Sequence, residues 1–135
     1  MGEPGLMIDR LLRATNDHDL EALVACFAED YENETPAHPA RGFRGKAQVR
    51  RNWEQIFAVV PDLRAEVTRS ALAGEVIWTE WEMVGTRRDG SAHCMRGVVI
   101  LGVGDGVAQW ARFYLEPVDR GDMTVDDAVR EHVVR

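Results

Sequence analysis

The feature that most constrains this chain is the run from Glu75 to Val118. Three stretches of alternating β-branched and aromatic residues are joined there by two Asp-Gly pairs, Asp89-Gly90 and Asp105-Gly106. Asp-Gly accepts the positive φ that a two-residue hairpin turn requires, so such a pair between alternating runs marks an antiparallel hairpin. With the run before it, the pattern predicts four consecutive strands at about 63–72, 76–86, 92–103 and 107–116. The first half has a different period. Leu6, Ile8, Leu11 and Leu12 recur at helical spacing and predict a helix over about 5–15. Asp19 suits the N-cap of a second helix, about 19–28, with Leu20, Leu23, Val24 and Phe27 on its apolar stripe. Asp30 to Thr35 reads as a short strand stopped by Pro36, and Pro36 to Gly45 as a loop. A third helix, about 46–59, buries Val49, Trp53, Ile56, Phe57 and Val60 before Pro61-Asp62 ends it. Helices first and a long meander after predict an α+β fold. It is a cone-shaped roll in which a strongly bent, mostly antiparallel sheet wraps three N-terminal helices and encloses a pocket.

The 135 residues are expected to form one domain, with a core of about 6–118 and a C-terminal tail helix of about 124–134 opened by Thr124, Asp126 and Asp127. A net charge of −7 argues against nucleic acid as a partner, because phosphate binding needs a basic face. Arg41, Arg44, Lys46, Arg50 and Arg51 do cluster, but without a glycine-rich phosphate loop they read as a solvated loop and helix face. Cys26 and Cys94 have no metal-ligand spacing, and Cys26, beside Phe27 on the expected second helix, reads as a small buried hydrophobe. The start of the chain carries no basic region followed by an apolar run, and no stretch is long enough to span a membrane. A cytoplasmic protein with no membrane partner is expected.

Strand alternation sorts side chains by face. One set contains Ile77, Thr79, Trp81 and Met83, then His93, Met95, Gly97, Val99 and Leu101, then Ala111, Phe113 and Leu115. This set lacks carboxylates and guanidinium groups and is assigned to the concave side. The opposite set carries Glu80, Glu82, Arg96, Arg112 and Glu116, a potential ladder of opposite charges. It also carries Trp78, Val98, Ile100, Trp110 and Tyr114, which is too apolar for a face meant only for water. A homodimer through this convex sheet is expected.

At this point the chain resembles a known family. The carrying features are Asp19-Leu20-Glu21-Ala22-Leu23 followed by Phe27-Ala28-Glu29-Asp30; Thr35-Pro36; Arg44-Gly45 before the third helix; Phe57 to Pro61-Asp62-Leu63; Gly85-Thr86 with Asp89-Gly90; and Asp105-Gly106 leading to Arg112-Phe113-Tyr114. In order and spacing these resemble a SnoaL-like member of the nuclear transport factor 2-like superfamily, over about residues 6–118. The resemblance implies the conical α+β fold with its pocket. It is far less specific for function, since the superfamily holds polyketide cyclases, isomerases, epoxide hydrolases, dehydratases and non-catalytic binding or scaffold proteins. The acid/base sets of its familiar enzymes do not carry over. The positions matching the Arg, Asp and last-strand Asp of limonene-type epoxide hydrolases look like Trp81, Met83 and Phe113. The positions matching the first-helix Tyr and the base of ketosteroid isomerases fall near Leu11 and Thr35.

Other residues must then carry any chemistry. Glu32 and Glu34 share one face of the first strand. Turned inward, a glutamate among Trp53, Phe57, Trp81, Met83 and Phe113 would be desolvated and its pKa raised, which suits a general acid or base. The alternative register turns Tyr31, Asn33 and Thr35 inward instead. His93 falls on the concave face and His38 in the loop over the pocket mouth, whereas His18 and His132 are expected to be exposed. Four histidines without paired ligand spacing predict no metal site. No dinucleotide fingerprint is present, and no cofactor is expected. The expectation is an acid/base enzyme for cyclisation, isomerisation, dehydration or epoxide opening on a small, hydrophobic, polyketide- or terpenoid-like ligand. Glu34 is the first candidate for the acid or base, assisted by His93, Glu32 or His38. Trp53, Phe57, Trp81, Met83, Met95 and Phe113 are the expected ligand-binding wall. The other expectation is a non-catalytic small-molecule-binding or dimeric scaffold protein of the same fold.

Overall fold

The computed structural model describes residues 3–134, with side chains through 133. Three helices come first: α1 (Glu3–Asp17), α2 (Leu20–Val24) and, after the first strands, α3 (Lys46–Val59). The strands are β1 (Phe27–Glu34), β2 (Phe43–Arg44), β3 (Arg64–Ala73), β4 (Val76–Thr86), β5 (Ala92–Gly104) and β6 (Val107–Pro117). They form one sheet in the order β2-β1-β6-β5-β4-β3. Every neighbouring pair is antiparallel except β1 and β6, which run parallel. This is the α+β roll expected from the sequence, with the bent sheet wrapped around the N-terminal helices.

The sheet's shape follows from a few local requirements. At the β5–β6 turn Asp105 and Gly106 both have positive φ, 54° and 77°, as the tight turn between right-twisted strands demands. Gly97 sits mid-strand in β5 with φ 151°, opposite Leu115. A Cβ at Gly97 would lie 2.1 Å from the Tyr114 carbonyl oxygen, so the close approach of β6 there depends on glycine. Gly102 leaves the seat for the Trp110 indole, whose Nε1 would otherwise lie 2.0 Å from a Cβ.

The core lies on the concave side. Met7, Ile8, Leu11 and Ala14 of α1 pack with Leu23 against Leu63, Ile77, Val99, Leu101 and Ala111. Met7 takes the core position expected of Leu6, which is half exposed. Two polar groups on α1 and in the turn after it tie the helix to the entry of β3. The Asn16 amide donates to the Ala65 carbonyl at 3.0 Å and accepts from the Ala65 N–H at 2.7 Å. The His18 Nε2 meets the Leu63 carbonyl at 2.8 Å, and its ring stacks on Phe57 at 4.5 Å. His18 is therefore half-buried and engaged, not exposed as expected.

The second helix is a single turn and not the expected 19–28. Asp19 caps it by accepting from the Ala22 N–H at 3.1 Å, and it ends at Val24. The chain turns early because the Cys26 carbonyl and Phe27 join β6, with the Ala108 N–H donating to Cys26 at 2.8 Å. Cys26 is buried as expected, though outside the helix. Beyond β6, Thr124 caps α4 (Val125–Val129) in a reciprocal box with Asp127, and a wider π turn continues over Arg130–Val134. None of the described helices is long and apolar enough to cross a membrane.

Candidate functional site

A cavity of about 290 Å³ opens between α3, β1 and the concave sheet. Phe27 and Tyr31 of β1 and Phe43 of β2 form one wall. Val49, Asn52, Trp53 and Ile56 of α3 form a second, at the i, i+3, i+4, i+7 spacing of one helix face. Met83, Met95, Phe113 and Leu115 form the sheet floor. This is a mainly apolar wall with a few polar groups set into it: Asn33, Thr35, Arg41, Asn52, His93 and Glu116. A small concave apolar space with sparse polar groups is the usual form of a small-molecule site.

The polar groups differ in how far the protein already satisfies them. Tyr31 is essentially fully buried, and its hydroxyl donates to Asn33 Oδ1 at 2.7 Å. Burial pushes the phenol's pKa well above the ordinary tyrosine range, so Tyr31 stays neutral. Asn52 Oδ1 accepts from Gln48 Nε2 at 2.7 Å. At the rim His38 and Glu116 meet at 3.3 Å, joining the loop after β1 to the end of β6. His93 of β5 is half-buried, and among the described residues no side chain or backbone group hydrogen-bonds its ring. Burial, and then the Arg87 guanidinium, push its pKa below the ordinary 6.5. At neutral pH it is therefore an unprotonated imidazole free to take a proton. Among the described residues no group of three or more His, Cys, Asp or Glu side chains is placed to share a metal ion.

The chain matches the SnoaL-like domain family over residues 8–113. It belongs to that family. No curated protein sequence matches it. Among solved structures, this SnoaL-like domain is similar to RV0760c from Mycobacterium tuberculosis, which was crystallised in complex with estradiol-17beta-hemisuccinate. That likeness has 19% identity and a TM-score of 0.73, covering 84% of this chain and 94% of that one. It is also similar to an M. tuberculosis LEH-like epoxide hydrolase, at 17% identity and a TM-score of 0.72, covering 84% and 83% of the two chains. A third similar structure is a computationally designed 17-OHP binder, at 21% identity and a TM-score of 0.72, covering 84% and 93%. At these identities the likeness establishes the fold and not the chemistry.

The SnoaL-like domain sorts the residues expected from sequence into three groups. Trp53, Met83, Met95, Phe113 and His93 meet at the cavity. His38 reaches it through Glu116, a residue the alternation had placed on the convex face. The end of β6 brings Glu116 to the cavity rim beside the loop. Trp81 and Phe57 do not line the cavity. Trp81 is buried in the core, where its Nε1 donates to Thr79 Oγ1 at 2.7 Å and Thr79 donates on to the Val99 carbonyl at 2.7 Å. Phe57 lies against His18, with Trp53 tilted on it at 5.5 Å.

Glu34 and Glu32 point outward, which corrects the expected inward register. β1 buries Tyr31 and Asn33 and exposes Glu32 and Glu34, which alternate with them. Glu34 pairs with Arg112 at 3.4 Å and Glu32 with Arg44 at 3.3 Å, each beside its partner on a neighbouring strand. The cost of burying a carboxylate decides the register, because Tyr31 and Asn33 can satisfy one another inside while the glutamates keep water and an arginine outside. Glu34→Gln is expected to leave both the melting temperature and ligand affinity unchanged, since exposed ion pairs contribute little. Thermal melts and a ligand titration on the variant check this.

Asn52 was missed, although the signal was present. It is a polar residue inside an apolar helical stripe, between Val49 and Trp53. Glu116 and Arg41 carried no local signal, because a loop and a strand end set their positions.

Proposed function

We propose that this SnoaL-like domain is a cofactor-independent enzyme that moves a proton on a small hydrophobic substrate, with His93 as the general base. The observation that carries this reading is His93 in the wall of an apolar cavity, its ring without a hydrogen bond among the described residues, with burial and Arg87 lowering its pKa. A base poised below neutral pH and half-buried beside an apolar cavity suits abstraction or relay of a proton in isomerisation, cyclisation, dehydration or epoxide opening. His38 and Glu116 at the rim form a second, hydrogen-bonded acid/base pair that can return the proton. The test is a panel of epoxide, enone and polyketide-like substrates assayed with the wild type and His93→Gln, alongside ligand binding by thermal shift. Turnover by the wild type that disappears in a variant still able to bind supports it. Equal turnover by both proteins removes His93 from the mechanism.

A second reading, a non-catalytic ligand-binding protein, is favoured by a different observation. By the sequence resemblance the charged set of the epoxide hydrolases falls on Trp81, Met83 and Phe113, none of them ionisable, and the cavity's carboxylate, Glu116, is already engaged by His38. This reading predicts tight binding without turnover on the same panel.

A homodimer through the convex sheet accompanies either reading. Trp78, Val84 and Tyr114 are each at least 40% exposed there. They lie beside the paired charges Glu82–Arg96 at 2.6 Å and Glu80–Arg69 at 3.6 Å. Ile100, expected in the same patch, is already buried, flanked by Trp78 and Arg112 as its register partners. A stable dimer needs such an aromatic centre with a polar rim. Sedimentation at micromolar concentration should report a dimer for the wild type and a monomer for Trp78→Arg. A monomeric wild type counts against it.

A further inference from the structure

We infer that the cavity selects an apolar ligand bearing an oxygen acceptor, a carbonyl or carboxylate, received by the side-chain amides of Asn33 and Asn52. The inference rests on the apolar-cavity reading above and adds the chemistry of the ligand's polar end.

The two amides are held with their oxygens toward protein. Asn33 is 7% exposed, and its Oδ1 accepts from the hydroxyl of Tyr31, which at 1% exposure has no water to turn to. Asn52 Oδ1 is taken by Gln48 Nε2, and Gln48 Oε1 in turn accepts from Arg51 Nη2 at 2.6 Å. An amide with its oxygen committed offers only its NH₂ elsewhere. Neither NH₂ has an acceptor among the described residues, and neither is sealed from solvent-sized space. Both residues line the cavity, where their open donors can meet a ligand.

The acceptor side is sparse. Glu116 is engaged by His38 at the rim, and the Arg41 guanidinium at the cavity adds further donors. Thr35 supplies a hydroxyl that can act either way. A ligand that displaces water from Asn33 and Asn52 without returning an acceptor leaves buried donors unmade, which is the strong form of discrimination. An oxygen acceptor satisfies them, while an ammonium or a plain hydrocarbon does not.

The test uses four bicyclic probes: 2-acetylnaphthalene, 2-naphthoate, 2-ethylnaphthalene and 2-naphthylmethylammonium. Each is titrated calorimetrically into the wild type, Asn33→Asp and Asn52→Asp. Aspartate keeps the oxygen that Tyr31 or Gln48 uses and exchanges the NH₂ for a second acceptor. In the wild type the ketone or the naphthoate should bind at least about tenfold more tightly than the ethyl compound, with the ammonium weakest. A stronger naphthoate names a carboxylate head and a stronger ketone names a carbonyl. In the aspartate variants naphthoate should weaken by about a hundredfold and the ammonium should gain. If Asn33→Asp fails to fold, Asn52→Asp, on a half-buried helix position, carries the same comparison. Acetyl and naphthoate probes that both bind no more tightly than the ethyl probe, or an unchanged ranking in Asn52→Asp, overturn the inference and leave the apolar-cavity reading standing. Binding of none of the four probes overturns both.

Discussion

Turnover by the wild-type protein should climb with pH along an acidic limb centred below 6.5 and level off above it. In His93→Gln it should fall by about 10²–10⁴-fold, the range supplied by one positioned base. The base is active as neutral imidazole, and burial with the nearby Arg87 holds the folded pKa below the ordinary 6.5. The limb therefore reports the folded value. Stability should move over the same window. Above 6.5 His93 is neutral in both states and contributes no pH dependence. As pH falls through 6.5 the unfolded chain binds the proton before the folded one, so stability drops until the folded pKa is passed and then levels. His93→Gln should remove that segment of the stability curve. Chemical denaturation between pH 5 and 8, set beside kcat/KM over the same range, checks both, taking the ordinary histidine range as the window. A limb above 6.5, or one that persists in the variant, would remove His93 as the base.

Gly97→Ala should cost about 3 kcal/mol, as overpacked or strained sites do. For a chain of this size that lowers the melting temperature by roughly 10 °C. Two effects act together. The residue holds φ 151°, and the added Cβ would lie 2.1 Å from the Tyr114 carbonyl oxygen and 2.8 Å from the Leu115 Cα. The obstacle is backbone, which cannot swing aside, so β6 must move away from β5. Leu115 and its neighbour Glu116 line the cavity, and the variant should lose ligand affinity along with stability. Thermal melts and a ligand titration would show it. A variant as stable as the wild type would mean that the sheet closes there without needing glycine.

The amino-acid sequence by itself determined the long meander, its turns and the inner face of the central strands. Those are local matters. Alternation places Ile77, Trp81 and Met83 against Glu80 and Glu82, and carboxylates stay in water. Asp105-Gly106 can adopt the turn without a partner. The family was legible too, because a set of turn and helix-end residues in order is a one-dimensional signal. Only the tertiary structure decided the register of β1. Tyr31-Glu32-Asn33-Glu34 offers an inner face either way until its partners are known. The parallel pairing with β6 supplies Arg112 for Glu34 in water while Tyr31 and Asn33 satisfy one another inside, so the cost of burying a carboxylate sends the glutamates out. Tertiary structure also decided depth. Periodicity tells which side a residue faces but not how far along the cone it lies, so Trp81 and Met83 share a face while only Met83 reaches the cavity. On α3, Trp53 and Phe57 share a stripe, yet Phe57 is spent on His18. Glu116 joined the site because the end of a bent strand meets the loop that leaves its neighbour β1. That contact spans 78 residues of sequence, and no local pattern encodes it.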